Sequence, residues 1–498
     1  MATRVMKVKG KPVVWSYAGL DNSGLAGQIA DVRTIQALGA HSCCVTTAVT
    51  AQNSQRVVAI NPSTKQQLES QLTSLQELGQ PNAIKVGLLP SEDSLQLLIA
   101  FLEQAEKPIK LVLDPVIESS SGTQFMPEDV IEQLQRLLPL VTVFTPNINE
   151  LARLAGQKIN SVEDIENQAK TLLASGASAV LVKGGHWSSQ QASDFFVDGQ
   201  HQFWMHSDRQ ETDNTRGTGC VLSSAIATAL ALDYSVEDAV VIGKMSLNQG
   251  LRYSYPVRHQ KGPLAVQSWP TDEQDMPRLT KQYAFNRFHF PSLKNQTLDL
   301  YPVVDSAKWL ERLLPLGIST IQLRVKDLKD KELENEVVAA ITIAKKYNAK
   351  LFINDYWQLA IKHGAFGVHL GQEDLDDADI SAISKAGLHL GISTHCFYEV
   401  ARAHAIQPSY LACGPVYHTD SKQMPWIPHG IENLGYWNNL MQSYPWVAIG
   451  GINADRIAEV ASTGVSGIAM ISAITKVQAP EQIVNNMMQL IEQHRPVV

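Results

Sequence analysis

Asn214-Thr215-Arg216-Gly217-Thr218-Gly219-Cys220 runs directly into the apolar stretch 221–230. Two closely spaced glycines let backbone N–H groups turn toward one point, and the helix that follows adds its positive N-terminal end. That combination is an anion hole suited to a transferring phosphoryl group. Cys220 falls in the first turn of this helix, where a base or nucleophile would touch the reacting hydroxyl. A helix N-terminus is expected to draw the thiol down toward a useful pKa. A Gly-Thr-Gly loop by itself can equally cap a helix and do nothing more, so the rest of the chain has to decide.

A second set of polar residues stands at the ends of short apolar runs further along. It comprises Gln322, Arg324 and Lys326, then Asn354 and Asp355, then Gly371 to Asp374, and Ser393. It continues with Thr419, Asp420, Ser421 and Lys422, then Gly450 and Gly451, and finally Ile471 and Ser472. Alternation along a strand lets Gln322, Arg324 and Lys326 face one side. Asp355 and Asp374 point to a hard cation with oxygen ligands, Mg²⁺ bridging a polyphosphate. Arg324, Lys326 and Lys422 would supply the matching positive clamp. These residue types point to diphosphate chemistry with a second phosphate close by.

Both sets need elements to position them. At 498 residues the chain is too long for one core, and two or three domains are expected. In the first half, apolar runs at 84–87, 111–114, 141–145 and 179–183 alternate with amphipathic stretches at 92–104, 128–138 and 163–174. This predicts a doubly wound α/β unit with a parallel sheet covered on both faces and ligands beyond the strands' carboxyl ends. Asp114, Asn147, Lys183 and the glycine loop all fall at such ends. Prolines at 256, 263, 270, 277 and 291 break the pattern. The domains are therefore drawn as 1–262, a linker at 263–297, and 298–498. In the last of these, strand-like runs begin near 300, 320, 350, 366, 389, 409, 446 and 467, with helical intervals between them. Eight evenly spaced units favour a closed (β/α)₈ barrel over an open sheet, with the active site on its C-terminal rim.

The bulk properties narrow the partners. A formal net charge of −8 without a long basic run excludes a nucleic-acid surface and leaves small anions as ligands. Five cysteines without a CxxC pair predict reduced thiols rather than a disulfide framework. No apolar run approaches the length of about 18 residues that spans a bilayer, and no secretory signal is recognisable, so a cytoplasmic location is expected. Cys43 and Cys44 are expected to be buried packing, and His186 and His369 hydrogen-bonded structural residues. The aromatic residues at 426, 436, 437, 444 and 446 could cover a barrel helix or form the contact surface of a homo-oligomer.

At these residues the chain resembles two families. Residues 298–495 resemble thiamin phosphate synthase through YPVVDS (301–306), QLRVK (322–326), LFINDYW (351–357), GVHLGQEDL (367–375), GIST (391–394), GPVYHTDSKQMP (414–425), AIGGI (448–452) and ISAIT (471–475). Residues 12–265 resemble the hydroxymethylpyrimidine and hydroxymethylpyrimidine-phosphate kinases of the ribokinase-like superfamily. The carriers are AGLDNSGLAGQIADVRT (18–34), TAVTAQNS (47–54), KVGLL (85–89), LDPV (113–116), TPNINE (145–150), VKGGH (182–186) and NTRGTGC (214–220).

The kinase resemblance implies that Gln52 binds the aminopyrimidine and Asp31 lies near the substrate hydroxymethyl or its phosphate. It makes Gly217, Thr218 and Gly219, with Asn214 beside them, the anion hole, and Cys220 the base. Asp114, Asn147, Glu150 and Lys183 would face ATP and its Mg²⁺. The loop at 21–31 departs from the usual DPSGGAGIQAD, with Asn22 for Pro and Leu25 for Gly; Leu25 is expected to cost backbone freedom.

The synthase resemblance implies Mg²⁺ on Asp355 and Asp374. It assigns the pyrimidine diphosphate to Gln322, Arg324, Lys326, Asn354, Ser393 and Lys422, and the thiazole phosphate to Thr419, Asp420, Ser421, Gly451, Ile471 and Ser472. The expectation is a bifunctional enzyme of thiamin biosynthesis. The alternative is an active synthase whose N-terminal half is a pyrimidine-binding module or a kinase of altered substrate such as pyridoxal.

Overall fold

Val13–Asp21 is buried along nearly its whole length, as a strand must be when helices cover both faces of its sheet. In the computed structural model, which describes residues 10–118, 122–185, 191–284, 286–418 and 429–496, the chain divides near residue 285 into two compact units. Val13–Asp21 is β1 of the first. It is followed by β2 (His41–Gln52), β3 (Val57–Pro62), β4 (Ala83–Val86), β5 (Lys110–Leu113), β6 (Val143–Phe144), β7 (Ala179–Val182), β8 (Gln191–Asp198), β9 (Gln202–Asp208) and β10 (Arg278–Thr280).

These strands form one sheet in the order β10-β9-β8-β7-β6-β5-β4-β1-β2-β3. β2, β1, β4, β5, β6 and β7 run parallel. β3 and the β8–β10 meander add antiparallel strands at the two edges of the expected parallel sheet. Three residues between β8 and β9 are enough for a hairpin, whereas a parallel return needs a whole crossover. The strand order reverses beside β1, between β4 and β2, and that is where α/β sheets hold ligands. The helix Thr218–Ala231 is buried on every side beyond its first turn, so the glycine loop before it is fixed by the core.

Most of the segment 263–297 is not a linker. Leu264, Met276 and Leu279 are buried, β10 extends the sheet, and Arg252 pairs with Asp275 at 2.8 Å. Leu293 belongs to the core of the second unit. The prolines rule out a regular α-helix there, leaving one short 3₁₀ turn (Glu273–Asp275) and extended chain packed along a sheet edge. Cys44 is exposed and Cys43 half-buried, contrary to expectation, because β3 pairs with β2 only from Ala48 onward and leaves this end of β2 uncovered.

The second unit is a closed barrel of β11 (Asp299–Val304), β12 (Thr320–Leu323), β13 (Lys350–Asn354), β14 (Gly367–Leu370), β15 (His389–Thr394), β16 (Tyr410–Cys413), β17 (Trp446–Ile449) and β18 (Gly467–Met470). Every neighbouring pair is parallel. Tyr301, Phe352 and Tyr410 fill the interior, with Phe352 and Tyr410 edge to face at 5.1 Å. Two glycines make room for these rings. A Cβ on Gly391 would lie 2.1 Å from Tyr410 Cζ, and one on Gly367 would lie 2.6 Å from Phe352 Cε1.

Trp437, Tyr444 and Trp446 are buried and Tyr436 is half-buried, so these aromatics cover the barrel rather than form a contact surface. Trp426 lies outside the described residues. Among the described residues no helix is long and apolar enough to cross a membrane.

Candidate active sites

In the first unit the site grows from the loop after β1. Asp21 Oδ1 accepts hydrogen bonds from Ser23 N and Oγ at 2.8 and 2.6 Å, and its Oδ2 accepts from Ala26 N at 2.9 Å. The left-handed positions are Gly24 and Gly27, at φ +70° and +58°. Leu25 is not one of them, so its substitution for glycine costs no backbone freedom. Leu25 is buried instead, and its carbonyl oxygen is 2.8 Å from where a Cβ on Gly217 would stand. Asn22 Oδ1 accepts from Gln52 N at 2.8 Å, which ties the loop to the end of β2 where the half-buried Gln52 sits.

Gly217, at φ +86°, opens the helix that carries Thr218, Gly219 and Cys220. A Cβ on Gly219 would be 2.9 Å from Asp114 Oδ2 and 3.5 Å from Lys183 Nζ. Only glycine lets the helix start approach those charges so closely. Asn214 acts one step back from the anion hole, since its Oδ1 accepts from Gly262 N at 2.8 Å. Arg216 likewise secures the loop by donating to the Ser54 carbonyl.

Asp114 and Lys183 follow β5 and β7. Lys183 Nζ donates to Asp114 Oδ1 at 2.5 Å and lies 3.8 Å from Glu150 Oε2. Asn147 and Glu150 form a capping box on the helix Ile148–Ala155, each side chain accepting from the other's backbone N–H at 2.9 and 2.7 Å. Burial pushes Glu150 up to about 7, with Lys183 opposing and Asp114 adding.

Two expectations are corrected here. The Cys220 thiol is pushed up, not down, to about 11. Burial is the main cause; Lys85 and an N–H from Gly27 pull the other way, while Asp31 and Asp114 push up. The field of a helix N-terminus does not outweigh desolvation and two carboxylates. Asp31 is fully buried, one layer beneath the loop. Its two oxygens accept from Lys85 Nζ at 2.9 Å each, from Ser16 Oγ at 2.6 Å and from Ser224 Oγ at 2.9 Å. Lys85 is itself 1% exposed. The sequence signal for it was a lysine inside an otherwise apolar strand, KVGLL. His186 lies outside the described residues.

In the barrel, Gln322 Nε2 donates to Tyr301 Oη at 3.3 Å, and Arg324 is half-buried just past β12. Lys326 is exposed, because the strand ends at Leu323 and the alternation stops with it. Asn354 closes β13, and Asp355 follows in the left-handed region at φ +65°. Asp355 and Asp374 are hydrogen-bonded to one another, and Asp374 Oδ2 also accepts from Gly371 N at 3.1 Å. Burial and the charge of Asp374 push Asp355 up to about 6, against the pull of Arg324. Two carboxylates set against one another form a donor set fit for a divalent cation.

Ser393 Oγ is 2.8 Å from His369 Nε2, His369 Nδ1 is 2.7 Å from Tyr410 Oη, and the Tyr301 and Tyr410 hydroxyls are 2.9 Å apart. A chain of polar contacts thus joins Ser393 to Gln322 across the barrel. Burial and Arg324 push His369 down to about 4, so it works here as a neutral hydrogen-bonded residue. Tyr301 opens the YPVVDS motif, whereas Tyr410 carried no motif signal.

Gly450 and Gly451 follow β17 at φ +97° and +66°, and Ser472 starts a short helix after β18 with Ile471 before it. Thr419, Asp420, Ser421 and Lys422 lie outside the described residues.

Residues 21–265 match the phosphomethylpyrimidine kinase family and residues 300–474 the thiamine monophosphate synthase family. The chain belongs to both, one per unit. The thiamine-phosphate synthase of Serratia proteamaculans (strain 568) is 52% identical over 203 residues, 41% of this chain and 95% of that protein. A structure of pyridoxal kinase from Staphylococcus aureus with AMP-PCP and pyridoxal is 26% identical, covers 55% of this chain and all of its own (100%), and superposes with a TM-score of 0.50. A phosphomethylpyrimidine kinase structure from Clostridium difficile 630 is 33% identical, covers 48% of this chain and 98% of its own, with a TM-score of 0.42. The ten-stranded sheet is thus the kinase domain of this fusion and the barrel its synthase domain.

Proposed function

We propose that the kinase domain uses ATP to convert hydroxymethylpyrimidine phosphate to its diphosphate, and that the synthase domain couples this product to thiazole phosphate, giving thiamin phosphate and pyrophosphate. The observation that carries the reading is the pairing on one chain of two families whose reactions are consecutive.

In the kinase domain, Gly217, Thr218 and Gly219 would hold the transferring phosphoryl group, with Lys183 neutralising charge beside Asp114. Gln52 would hold the pyrimidine. Cys220 would take the proton from a hydroxyl acceptor, while a phosphate acceptor is already ionised and asks nothing of it.

In the synthase domain, Asp355 and Asp374 would hold Mg²⁺, which when bound neutralises charge on the leaving pyrophosphate. Arg324, Lys326 and Lys422 would share that charge, and Gln322, Asn354 and Ser393 would fix the pyrimidine. Thr419, Asp420, Ser421, Gly451, Ile471 and Ser472 would place the thiazole phosphate so that its nitrogen captures the methylene carbon as pyrophosphate departs. Placement and charge neutralisation supply the rate here, and no proton has to move. Free cysteines and ATP as co-substrate fit a cytoplasmic setting.

The test measures ADP release by the whole chain with hydroxymethylpyrimidine phosphate, ATP and Mg²⁺, then thiamin phosphate formation once thiazole phosphate is added. Both products are expected. An absence of ADP release, with synthase activity intact on supplied diphosphate, would leave a single enzyme carrying a binding module.

A further inference from the structure

Beside the Asp114–Lys183 pair, the kinase domain holds another buried carboxylate that reaches the same strand end. Asp194, on β8, and Lys244, on the helix Val236–Arg252, are both buried and pair at 2.7 Å. The other carboxylate oxygen of Asp194, Oδ1, accepts from Gly184 N at 2.9 Å. That N–H belongs to the peptide bond joining Lys183 to Gly184. The β7–β8 ladder ends at Val182 with Phe195, so this buried N–H lies past the last register pair and takes its acceptor from a side chain. A Cβ on Gly184 would lie 2.0 Å from the Ser193 carbonyl oxygen, so backbone passes directly against backbone here. On its other side, Lys183 N donates to the Pro146 carbonyl at 2.8 Å. The Lys183 backbone is thus held from both sides, by Pro146 and by Asp194.

We propose that Asp194 is a positioning residue for the phosphoryl transfer: by fixing the Lys183–Gly184 peptide it holds the Lys183 ammonium beside Asp114 and the start of the glycine-loop helix. Lys244 in turn fixes Asp194, and it also donates to the Ala192 carbonyl at 3.3 Å. It does so from a helix packed on the glycine-loop helix, since a Cβ on its neighbour Gly243 would lie 2.5 Å from Ile226 Cγ1. The helix Thr218–Ala231 and the end of β7, which bring the anion hole and Lys183 together, are therefore referenced to each other through Lys244 and Asp194. The fit they must keep is close: a Cβ on Gly219 would already be 3.5 Å from Lys183 Nζ. A displacement of about 1 Å at such a group costs about 10²-fold in rate. Neither Asp194 nor Lys244 has to touch substrate for this, and both kinds of acceptor, alcohol and phosphate, depend on it equally.

This inference rests on Lys183 acting on the phosphoryl group, as proposed above, and the test separates the two. Two double variants of the full chain are compared. Asp194→Leu with Lys244→Met removes both charges and the acceptor, whereas Asp194→Asn with Lys244→Met removes the charges and keeps an oxygen for the Gly184 N–H. Hydrogen exchange of the peptide containing Gly184 is followed by mass spectrometry, and kcat and KM are taken from ADP release with hydroxymethylpyrimidine phosphate. The Leu variant should exchange faster at that peptide and lose about 10²-fold in kcat, with KM for the pyrimidine phosphate unchanged; the Asn variant should restore both. Asp194→Glu keeps the charge facing Lys244 but displaces the acceptor by one methylene, and it replaces the Leu variant should that one not fold. Equal kcat in the two double variants, faster exchange with kcat unchanged, or wild-type kcat in Asp194→Glu overturns the proposal. Wild-type kcat in Lys183→Met would remove the role given to Lys183, and this inference with it, while leaving the exchange result as it stands.

Discussion

Cys220→Ala should divide the two phosphorylations this kinase domain can be asked to perform. With the thiol pushed up to about 11, roughly one molecule in 3,000 carries a thiolate at pH 7.5. An alcohol acceptor needs a base to remove its proton during transfer, and losing a positioned base costs about 10²- to 10⁴-fold. A phosphate monoester has its second pKa near about 6 and reaches the site already ionised. The substitution should therefore lower kcat/KM for hydroxymethylpyrimidine by about 10²- to 10⁴-fold, and that for its phosphate by no more than about tenfold. The sign of the pH dependence follows from the same value. In the wild type the alcohol rate should climb about tenfold per unit from pH 7 to 9, because thiolate accumulates on approach to 11. The phosphate rate should stay level over that range. Coupled ADP release with each acceptor reads both. Equal losses for the two acceptors, or an alcohol rate that ignores pH, would refute the assignment of Cys220 as base.

Three further outcomes follow. Asp355→Asn should abolish most synthase turnover yet raise the melting temperature of the metal-free protein, because it removes a carboxylate held against Asp374; calorimetry with and without Mg²⁺ reads this. The folded pKa of Asp355 lies above its ordinary value, so its contribution to stability is present at low pH and lost as pH rises through about 6; added Mg²⁺ should cancel that loss. Gly219→Ala should stop ADP release while leaving the circular dichroism and the synthase rate unchanged, since the new methyl would sit 2.9 Å from Asp114 Oδ2. Gly391→Ala should destabilise the barrel by about 3 kcal/mol on urea unfolding, the upper end of ordinary overpacking, because Tyr410 already fills that space.

The barrel is legible in the sequence because parallel strands buried on both faces are written as short continuous apolar runs, and seven of the eight lead into a functional residue type. The same logic places Asp114, Lys183 and the glycine loop. It fails where a residue's role depends on which strands are neighbours. Lys85 and Asp31 are 54 positions apart, and only the order β4-β1 with a helix above brings them together. Gly391 and Tyr410 look unrelated until the barrel closes. Segment 263–284 reads as a linker because edge strands and extended cover carry no periodic signal, only the prolines that exclude helix. The thiol departs from expectation for a different reason. The helix-terminus field is local and can be read from sequence, whereas desolvation and the charges of Asp31 and Asp114 exist only in the folded chain.

The two domains handle buried charge in opposite ways, and this explains why their sites differ in dependence on a cation. In the kinase domain the buried acids under and beside the anion hole already have their cations: Asp31 has Lys85, and Asp114 has Lys183, with Glu150 close by. Such a site is preorganised before any substrate arrives, and its electrostatics are ready for phosphoryl transfer without rearrangement. In the synthase domain Asp355 and Asp374 face each other, and the pull of Arg324 on Asp355 does not outweigh burial and the charge of Asp374. That pair is a deficit of positive charge built into the rim, and Mg²⁺ arriving with a diphosphate fills it. Chelation should therefore reach the two activities by different routes. In the kinase it withdraws the nucleotide's metal and leaves the protein's own charges balanced. In the synthase it leaves Asp355 and Asp374 uncompensated, with Asp355 taking up a proton as pH falls toward about 6, so the chelated barrel should be silent and its stability more sensitive to mildly acid pH than that of the kinase domain.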